Sequence, residues 1–380
     1  MRSTMTTRFI ISSGGRPKWT SILGLVLGAA TVFSPTRVAF SQTREYIVTD
    51  LTGEDAAQVP SKLNNLGDIV GRKAGSGAGA PRATLWGHSH HSKAKHLGVF
   101  PGGDYSSANA INDAGEVAGA SNTGTAILPF VWSDKGGLQR VPLLAGDNCG
   151  EAVAINKYGH VVSNSSGPTG CRAVLWTRKT GPRDLGTLPG GSYSRAHDLN
   201  DSDEVAGVAA SPAGDRAVLW TKSGDARDLG TLPGDLTSEA MAINNAGDVV
   251  GYSKGPSGMR AFLWTKGGGM QELGILPGDN SSRALAINDS GTVVGSSDSA
   301  SGGHAFVWEK QTGIVDLNEA GLGALGIVLV EAHAINRKGE ILAMGQLDHG
   351  GMDHGGMAPE DHICAPAPPL SFLLTPTNAP

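Results

Sequence analysis

Short apolar segments alternate with turns rich in glycine and asparagine along most of the chain, and this pattern has a fixed period. The repeated segment is Ala-Ile-Asn-Asp-x-Gly-x-Val-Val-Gly or a close variant. Its asparagines recur at nearly constant intervals, and they are Asn64, Asn112, Asn156, Asn200, Asn244, Asn288 and Asn336. Such a period predicts an array of one supersecondary unit.

Each unit of the repeat predicts four short strands. In the fifth unit, residues 238–244 alternate and predict strand a, and residues 248–252 predict strand b after a turn at Gly247. Residues 260–264 and 270–274 follow as strands c and d. Four strands of about five residues, with connections of about five or six, match the size of a β-propeller blade.

The two ends of the repeat region predict a closed ring. The seventh unit has strands a and b and then strand c at residues 371–375, but no strand d follows. Residues 46–51 resemble the strand d segments of other units, so we expect them to complete the seventh blade and remove its exposed edge. The predicted fold is all-β: a seven-bladed β-propeller of four-stranded antiparallel blades over residues 42–380, closed by an N-terminal strand.

Residues 1–41 predict a secretory signal peptide. Basic residues precede an apolar run at residues 22–33, which is too short for a typical membrane span, and small residues at 39–41 suit cleavage before Gln42. This segment holds five basic and no acidic residues, so its removal changes the formal net charge from −5 to −10. We expect a secreted or periplasmic monomer without a membrane span or a nucleic-acid partner. An uncleaved membrane anchor is the alternative.

Side chains that recur at the same position in most units are expected to serve packing. A tryptophan ends strand c in six units, and an arginine precedes strand c in four units, with His304 in the sixth. No catalytic, phosphate-binding or dinucleotide-binding motif occurs. We therefore predict no catalytic and no cofactor-binding residues. A cluster of unlike polar side chains in the central channel, with one strongly shifted carboxylate or histidine pKa, would count against a non-catalytic protein.

The segments Asn-Asp-x-Gly-x-Val-Val-Gly, Ala-Phe-Leu-Trp and Asp-Leu-Gly-Thr-Leu resemble the HAF repeat of bacterial extracellular proteins. The resemblance covers nearly the whole chain after residue 41. It implies an exported repeat protein but no particular reaction. Three departures are visible: residues 61–63 replace Ala-x-Ala in the first unit, Ser163 replaces a glycine in the third, and Asp203 replaces the turn glycine in the fourth. Aspartate tolerates the left-handed conformation better than most residues.

One segment interrupts the repeat with chemistry of its own. Residues 346–369 form an insertion between strands b and c of the last unit, with a tandem His-Gly-Gly-Met sequence. Thioethers favour Cu(I) and imidazoles bind Cu(II) or zinc. The insertion therefore predicts a metal site, with copper as the candidate ion, and its ligands are His349, Met352, His354, Met357, His362 and Cys364. A low-complexity loop that binds metal weakly is the alternative.

Two further hypotheses depend on which residues the fold brings together. A second histidine-rich stretch, residues 88–96, lies in the predicted c–d turn of the first unit, and ring closure suggests that it neighbours the insertion. Cys149 and Cys171 both lie in the third unit, each just before a predicted strand, and are candidates for a disulfide bond in an oxidising compartment.

Three functions remain open at this point. The first is an exported non-catalytic propeller that binds or scaffolds an extracellular or periplasmic ligand, either a protein or a glycan. The second is a copper-handling protein, which metal analysis of the mature protein tests. The third is an enzyme that acts on glycans or other polymers at one face of the propeller.

Overall fold

The repeat folds into seven antiparallel sheets that follow one another round a closed ring. The computed structural model describes residues 7–11, 44–51, 58–75, 79–88, 94–300, 302–320, 326–347 and 370–377. The predicted seven-bladed β-propeller is therefore confirmed. The described residues contain no α-helix, and a single 3₁₀ turn, Leu317–Ala320, follows the sixth blade.

Each blade has four strands, a to d, ordered from the channel outward. The chain begins with β1 (Thr7–Ile11) and β2 (Arg44–Asp50), which belong to blade 7. The strands of blades 1 to 3 are β3 (Gln58–Leu63), β4 (Ile69–Gly75), β5 (Gly79–Trp86), β6 (Lys95–His96), β7 (Ser106–Ile111), β8 (Val117–Asn122), β9 (Ile127–Ser133), β10 (Gly137–Arg140), β11 (Cys149–Ile155), β12 (Val161–Gly167), β13 (Gly170–Thr177) and β14 (Gly181–Asp184). Those of blades 4 to 6 are β15 (Ser194–Leu199), β16 (Val205–Ser211), β17 (Gly214–Trp220), β18 (Ala226–Asp228), β19 (Thr237–Ile243), β20 (Val249–Gly255), β21 (Gly258–Thr265), β22 (Gly269–Glu272), β23 (Ser281–Ile287), β24 (Val293–Ser299), β25 (Gly302–Glu309) and β26 (Gly313–Asp316). Blade 7 continues with β27 (Ile327–Ile335), β28 (Ile341–Leu347) and β29 (Leu370–Pro376).

An N-terminal strand closes the ring. β2 pairs antiparallel with β29, with Tyr46 opposite Pro376 and Val48 opposite Leu374, which confirms the predicted closure. β1 pairs with the outer edge of β2, so the sheet of blade 7 has a fifth strand. Residues 12–43, which include the apolar run of the expected signal peptide, lie outside the described residues, and the signal peptide stays a prediction.

The core lies between neighbouring blades. Between blades 4 and 5, Trp264 and Phe262 pack with Leu219, Leu229 and Ile243. Burial of each large apolar side chain contributes about 1.5–3 kcal/mol. The tryptophans that end strand c are all at most 9% exposed, which agrees with a packing role, and they are Trp86, Trp132, Trp176, Trp220, Trp264 and Trp308.

Two of the arginines that were expected to precede strand c lie within it and link successive blades. The Arg216 guanidinium donates to the backbone oxygen of Leu236 at 2.6 Å, and that of Arg172 donates to the backbone oxygen of Ser192 at 2.7 Å. Both acceptors lie on the crossover to the next blade. These two side chains are therefore part of the scaffold.

The channel has two unlike ends because of the strand order. The a–b and c–d turns lie on one face of the ring, called here the turn face. The b–c loops and the d–a crossovers lie on the other, called the crossover face. Every strand a also carries a β-bulge, which leaves unpaired the residue three positions before the repeated asparagine. A bulge turns a side chain out of the sheet alternation, and these residues are all partly exposed: Ser61, Asn109, Val153, His197, Met241, Leu285 and His333.

Candidate functional site

A closed circle of hydrogen bonds between the seven repeated asparagines surrounds the turn-face end of the channel, called here the closed end. Each donates from Nδ2 to the backbone oxygen of the matching asparagine in the next blade at 3.0–3.3 Å. Asn336 completes the circle by donating to Asn64. Each Oδ1 also accepts two backbone N–H groups of its own turn, as in Asn244, which accepts from Ala246 at 3.1 Å and Asp248 at 2.9 Å. The asparagines are therefore inter-blade links as well as turn residues.

The residues that follow these asparagines form a polar rim around a cavity of about 220 Å³. Arg337 lies 2.6 Å from Asp289 and 3.8 Å from Asp201, and Asn245 donates its backbone N–H to Asp289. Burial tends to raise the pKa of Asp289, but the hydrogen bonds from Asn245 and Arg337 lower it overall. The charges of this rim are largely paired with one another, so it offers little to a ligand.

The crossover-face end of the channel is lined by charges of alternating sign. They occupy the position five residues before the repeated asparagine in five consecutive blades, and they are Glu151, Arg195, Glu239, Arg283 and Glu331. The Arg283 guanidinium lies 3.7 Å from Glu331 and 3.6 Å from Asp298. Burial raises the pKa of Glu331, against the lowering effect of Arg283. Blades 1 and 2 have Val59 and Ser107 at this position, so the charged part of the opening is one-sided.

A histidine and a carboxylate from neighbouring blades form a close pair at this opening. The Nε2 atom of His197 lies 2.7 Å from Oε1 of Glu239, and the Tyr252 hydroxyl donates to the other carboxylate oxygen. Burial tends to raise the pKa of Glu239, but these hydrogen bonds and the nearby charges lower it overall. Glu239 is thus an acceptor that holds His197 in one orientation.

A cleft of about 920 Å³ opens beside this pair on the crossover face. The b–c loop of blade 2 and the ends of strands from blades 3 and 4 form its walls. Glu151 and Arg195 line it, both are exposed, and neither forms an ion pair with a described residue. The Arg195 guanidinium lies over the Tyr193 ring, 5.9 Å from its centroid, which leaves its N–H groups for other acceptors. His197 lines the same cleft, so the oriented imidazole and two charges without ion-pair partners meet in one place.

Three more ionisable side chains lie deeper in the channel. Asp198 accepts the backbone N–H groups of Leu199 at 2.9 Å and Ile243 at 3.0 Å, and burial raises its pKa against the opposing charge of Lys62. Burial lowers the pKa of His333 to about 4, and the charge of Lys62 acts in the same direction. The Pro60 carbonyl opposes this shift weakly but lies outside hydrogen-bonding geometry for either ring nitrogen of His333.

The channel therefore holds the arrangement that was expected to count against a non-catalytic protein: unlike polar side chains with a shifted carboxylate and a shifted histidine. None of these residues was predicted as a site. An alignment of the seven units could have found two of them, because Lys62 and Asp198 replace an alanine that the other five blades keep. Of the two, only Lys62 belongs to a departure noted above, the one at residues 61–63.

The predicted metal ligands, His349, Met352, His354, Met357, His362 and Cys364, lie outside the described residues. In the sequence they lie between Leu347, where strand b ends, and Leu370, where strand c begins. The c–d turn of blade 1 lies on the turn face, where the backbone N–H of His88 donates to Asp68. Most of the second histidine-rich stretch, residues 89–93, also lies outside the described residues, so the hypothesis that ring closure brings the two stretches together stays a prediction. Within the described residues, no group of three or more His, Cys, Asp or Glu side chains is placed to hold a metal ion.

The candidate disulfide between Cys149 and Cys171 does not form. Cys149 on strand a lies opposite Ser166 on strand b, and Ser166 lies opposite Cys171 on strand c. Two strand spacings separate the cysteines, which is about 9–10 Å, whereas the Cα atoms of a disulfide are usually less than about 7 Å apart. Both thiols are free.

The fold and the channel define the molecule as a seven-bladed β-propeller with one closed and one chemically varied end. It is similar to virginiamycin B lyase from Staphylococcus aureus, with a TM-score of 0.51 and 13% identity over 86% of this chain and 98% of that chain. It is also similar to a prolyl endopeptidase, with a TM-score of 0.53 and 12% identity over 76% of this chain and 46% of that chain. The likeness to a puromycin hydrolase has a TM-score of 0.51 and 12% identity, over 76% of this chain and 50% of that chain.

These likenesses show the fold alone, because the identities are 12–13%. The chain spans about half the length of the prolyl endopeptidase and of the puromycin hydrolase. No protein-family model and no curated protein matches the sequence. Among the described residues, no helix has the length and apolar character that crossing a bilayer requires.

Proposed function

We propose that the protein is an exported propeller of the HAF-repeat type that binds an acidic, hydroxyl-bearing ligand in the crossover-face cleft. A uronate-containing oligosaccharide has this chemistry. The observation that carries the proposal is the presence of two charges without ion-pair partners, Arg195 and Glu151, in one cleft of about 920 Å³. Ligand pockets usually have volumes of about 300–1,000 Å³.

Each of these charges suits one part of such a ligand. A guanidinium binds a carboxylate through two parallel hydrogen bonds, and a carboxylate accepts hydrogen bonds from hydroxyl groups. The side chains of Asn148 and Thr125 on the cleft wall add neutral donors and acceptors, while Ile127 and Val153 supply apolar contact. Bound sugars need this mixture, because their rings have both polar edges and apolar faces.

A second candidate function is catalysis on the same ligand, and the His197–Glu239 contact of 2.7 Å favours it. A histidine that is oriented by a carboxylate and lines a cleft has the geometry of a general base or acid. The copper-handling hypothesis rests on the composition of residues 346–369 alone and stays a prediction.

Calorimetric titration with a trisaccharide of uronic acid and a neutral trisaccharide of the same length tests the binding proposal. We expect the acidic sugar to bind about tenfold more tightly or better, and Arg195→Ala to weaken it by about tenfold or more, since charge-assisted hydrogen bonds contribute about 1.5–3 kcal/mol. Lys179→Ala is the control, because Lys179 is an exposed cation in a c–d turn on the opposite face.

Equal affinity for the two sugars, or unchanged affinity in Arg195→Ala, would overturn the proposal. The same mixtures are then analysed for product. Product that forms with the wild type and disappears with His197→Gln supports the enzyme, whereas product that persists in this variant excludes His197 as its catalytic base.

A further inference from the structure

The interior of the channel contains ionisable side chains that packing does not require. Two residues before the repeated asparagine, five blades have a buried alanine, at Ala110, Ala154, Ala242, Ala286 and Ala334. Blades 1 and 4 instead have Lys62 and Asp198 at this position. Because alanine is sufficient to join neighbouring blades elsewhere in the ring, the two charged residues need another explanation.

Asp198 has partners, but Lys62 and His333 do not. Both oxygens of Asp198 accept backbone N–H groups. Neither ring nitrogen of His333 is exposed to solvent, and neither has a hydrogen-bond partner in the described structure. Lys62 likewise forms no hydrogen bond or ion pair with any residue that the structure describes. A buried polar atom without a partner, such as either ring nitrogen of His333, is destabilising, and native proteins rarely leave one so.

Lys62 and His333 also lie close to each other. They come from strands a of blades 1 and 7, which are neighbours across the ring closure, and the charge of Lys62 acts on the His333 imidazole. His333 is the unpaired residue of its β-bulge, the same position from which His197 lines the cleft. The two donors therefore belong to one sector of the channel, one layer in from the crossover face.

We propose that Lys62 and His333 form a binding site for one oxyanion group, a carboxylate or a phosphate, that enters the channel from the crossover face. The ammonium group of Lys62 supplies a charge and up to three donors, and an imidazole N–H of His333 supplies another. The Asp198 carboxyl, which is also within reach of the Lys62 charge, disfavours a second negative group in the same layer.

The sector of this layer next to blade 7 is apolar, since Met241 and Leu285 occupy the bulge positions of blades 5 and 6. An anion with a short apolar part therefore fits the layer better than a fully hydrated one. This site is separate from the cleft at Arg195, and its ligand does not depend on the ligand proposed for the cleft.

Titration of the full-length mature protein with acetate, butyrate or inorganic phosphate at constant ionic strength tests the site, with chloride as the control anion. Calorimetry gives the affinity, and the ring ¹⁵N signals of His333, assigned with His333→Gln, report the location. We expect saturable binding with a matching shift of the His333 signals, and butyrate to bind more tightly than acetate. Lys62→Met should weaken binding by about tenfold or more, because the charged donor is lost.

Two matched variants distinguish the loss of the Lys62 charge from a general effect of the substitution on folding. Lys62→Arg keeps the charge and should retain binding within a few-fold, and Lys338→Met removes an exposed cation at the turn face and should bind like the wild type. Three results would overturn the proposal: no saturable shift at His333, an equal response to chloride, or unchanged affinity in Lys62→Met. If Lys62→Met is unfolded by circular dichroism, His333→Gln is titrated calorimetrically instead, and unchanged affinity in that variant has the same meaning.

Discussion

The two ends of the channel are made of the same strand, repeated seven times, yet they differ in kind. At the turn face, the same residue type in all seven blades forms one closed circle of hydrogen bonds, from Asn64 to Asn336 and back. At the crossover face and just inside it, corresponding positions carry glutamate, arginine, histidine, lysine, aspartate and apolar residues. One end joins the blades, and the other presents unlike side chains to a shared space.

This difference shows how a repeat protein divides structure from function. A contact that every blade needs requires the same residue in all seven blades, so the positions with the same residue in each blade are structural. A ligand is met once, by residues that need not be alike, so binding chemistry is found where corresponding positions differ. The comparison predicts that changes at the turn face reduce stability, whereas changes at the crossover face alter ligand binding or pH response.

The largest effect is expected for Asn244→Ala at the closed end. The change removes the acceptor for two backbone N–H groups and the donor to the Asn288 carbonyl, all in a residue that is 3% exposed. Each buried group left without a partner costs about 1–3 kcal/mol, so we expect the free energy of unfolding to fall by about 3–4 kcal/mol. Urea denaturation measures this. Asn245→Ala, at the exposed neighbouring position, is the control and should cost less than about 1 kcal/mol.

The next effect is a change in pH dependence at His333, inside the channel. Its pKa is about 4 in the folded protein and 6.5 without the protein environment. The unfolded chain therefore binds the proton more readily, and His333 costs stability as the pH falls from 6.5 towards 4. The variant His333→Gln does not have this loss. As the pH is lowered from 7 to 4, its free energy of unfolding should therefore rise relative to that of the wild type by about 2–3 kcal/mol.

Denaturation midpoints at pH 7, 5.5 and 4 measure this difference. The exposed His96, changed to Gln, is the control and should leave the pH profile parallel to that of the wild type. A wild-type profile in His333→Gln would mean that the pKa of His333 is not lowered in the folded protein, and the predicted contrast in pH response between the two ends would be lost.

The fold was predictable because the seven repeats of the chain can be aligned with one another. Seven copies of one segment set the strand pattern and the blade number, and residues 46–51 showed how the ring closes. The closed circle of asparagines was not predicted, since a side chain that reaches a full repeat further along the chain, into the next blade, leaves no local signal. Their turn role was visible only because it is local: Oδ1 accepts from residues two and four positions later.

The candidate site was predictable in part. The alternating charges from Glu151 to Glu331 and the unlike pair Lys62 and Asp198 are visible once the units are superimposed. What no alignment of units shows is the contact between blades, such as His197 with Glu239, because it depends on the bulge and on the ring geometry. The His- and Met-rich insertion has no counterpart in the other units, so the repeat offers no template for it.

The smallest effect concerns a place where the closed end departs from its own rule in two neighbouring blades. In blade 3 the acid that usually lies four positions after the ring asparagine is replaced by His160, and in blade 4 the turn glycine is replaced by Asp203, with φ of 61°. Nδ1 of His160 lies 2.7 Å from the Asp203 carboxylate, and Asn156 donates to the same oxygen at 3.0 Å. Two departures thus compensate each other, and Asp203 supplies the acceptor that blade 3 lacks.

A double-mutant cycle tests whether this pair is purely structural. His160→Glu should destabilise the protein by about 1 kcal/mol, because it places two carboxylates together, while His160→Gln should cost less. Adding Asp203→Gly to His160→Glu restores the arrangement of the other blades and should return the stability to within about 0.5 kcal/mol of the wild type. The uronate and butyrate affinities should stay unchanged throughout, since both sites lie towards the other face. A loss of either affinity without a loss of stability would show that the closed end also takes part in binding.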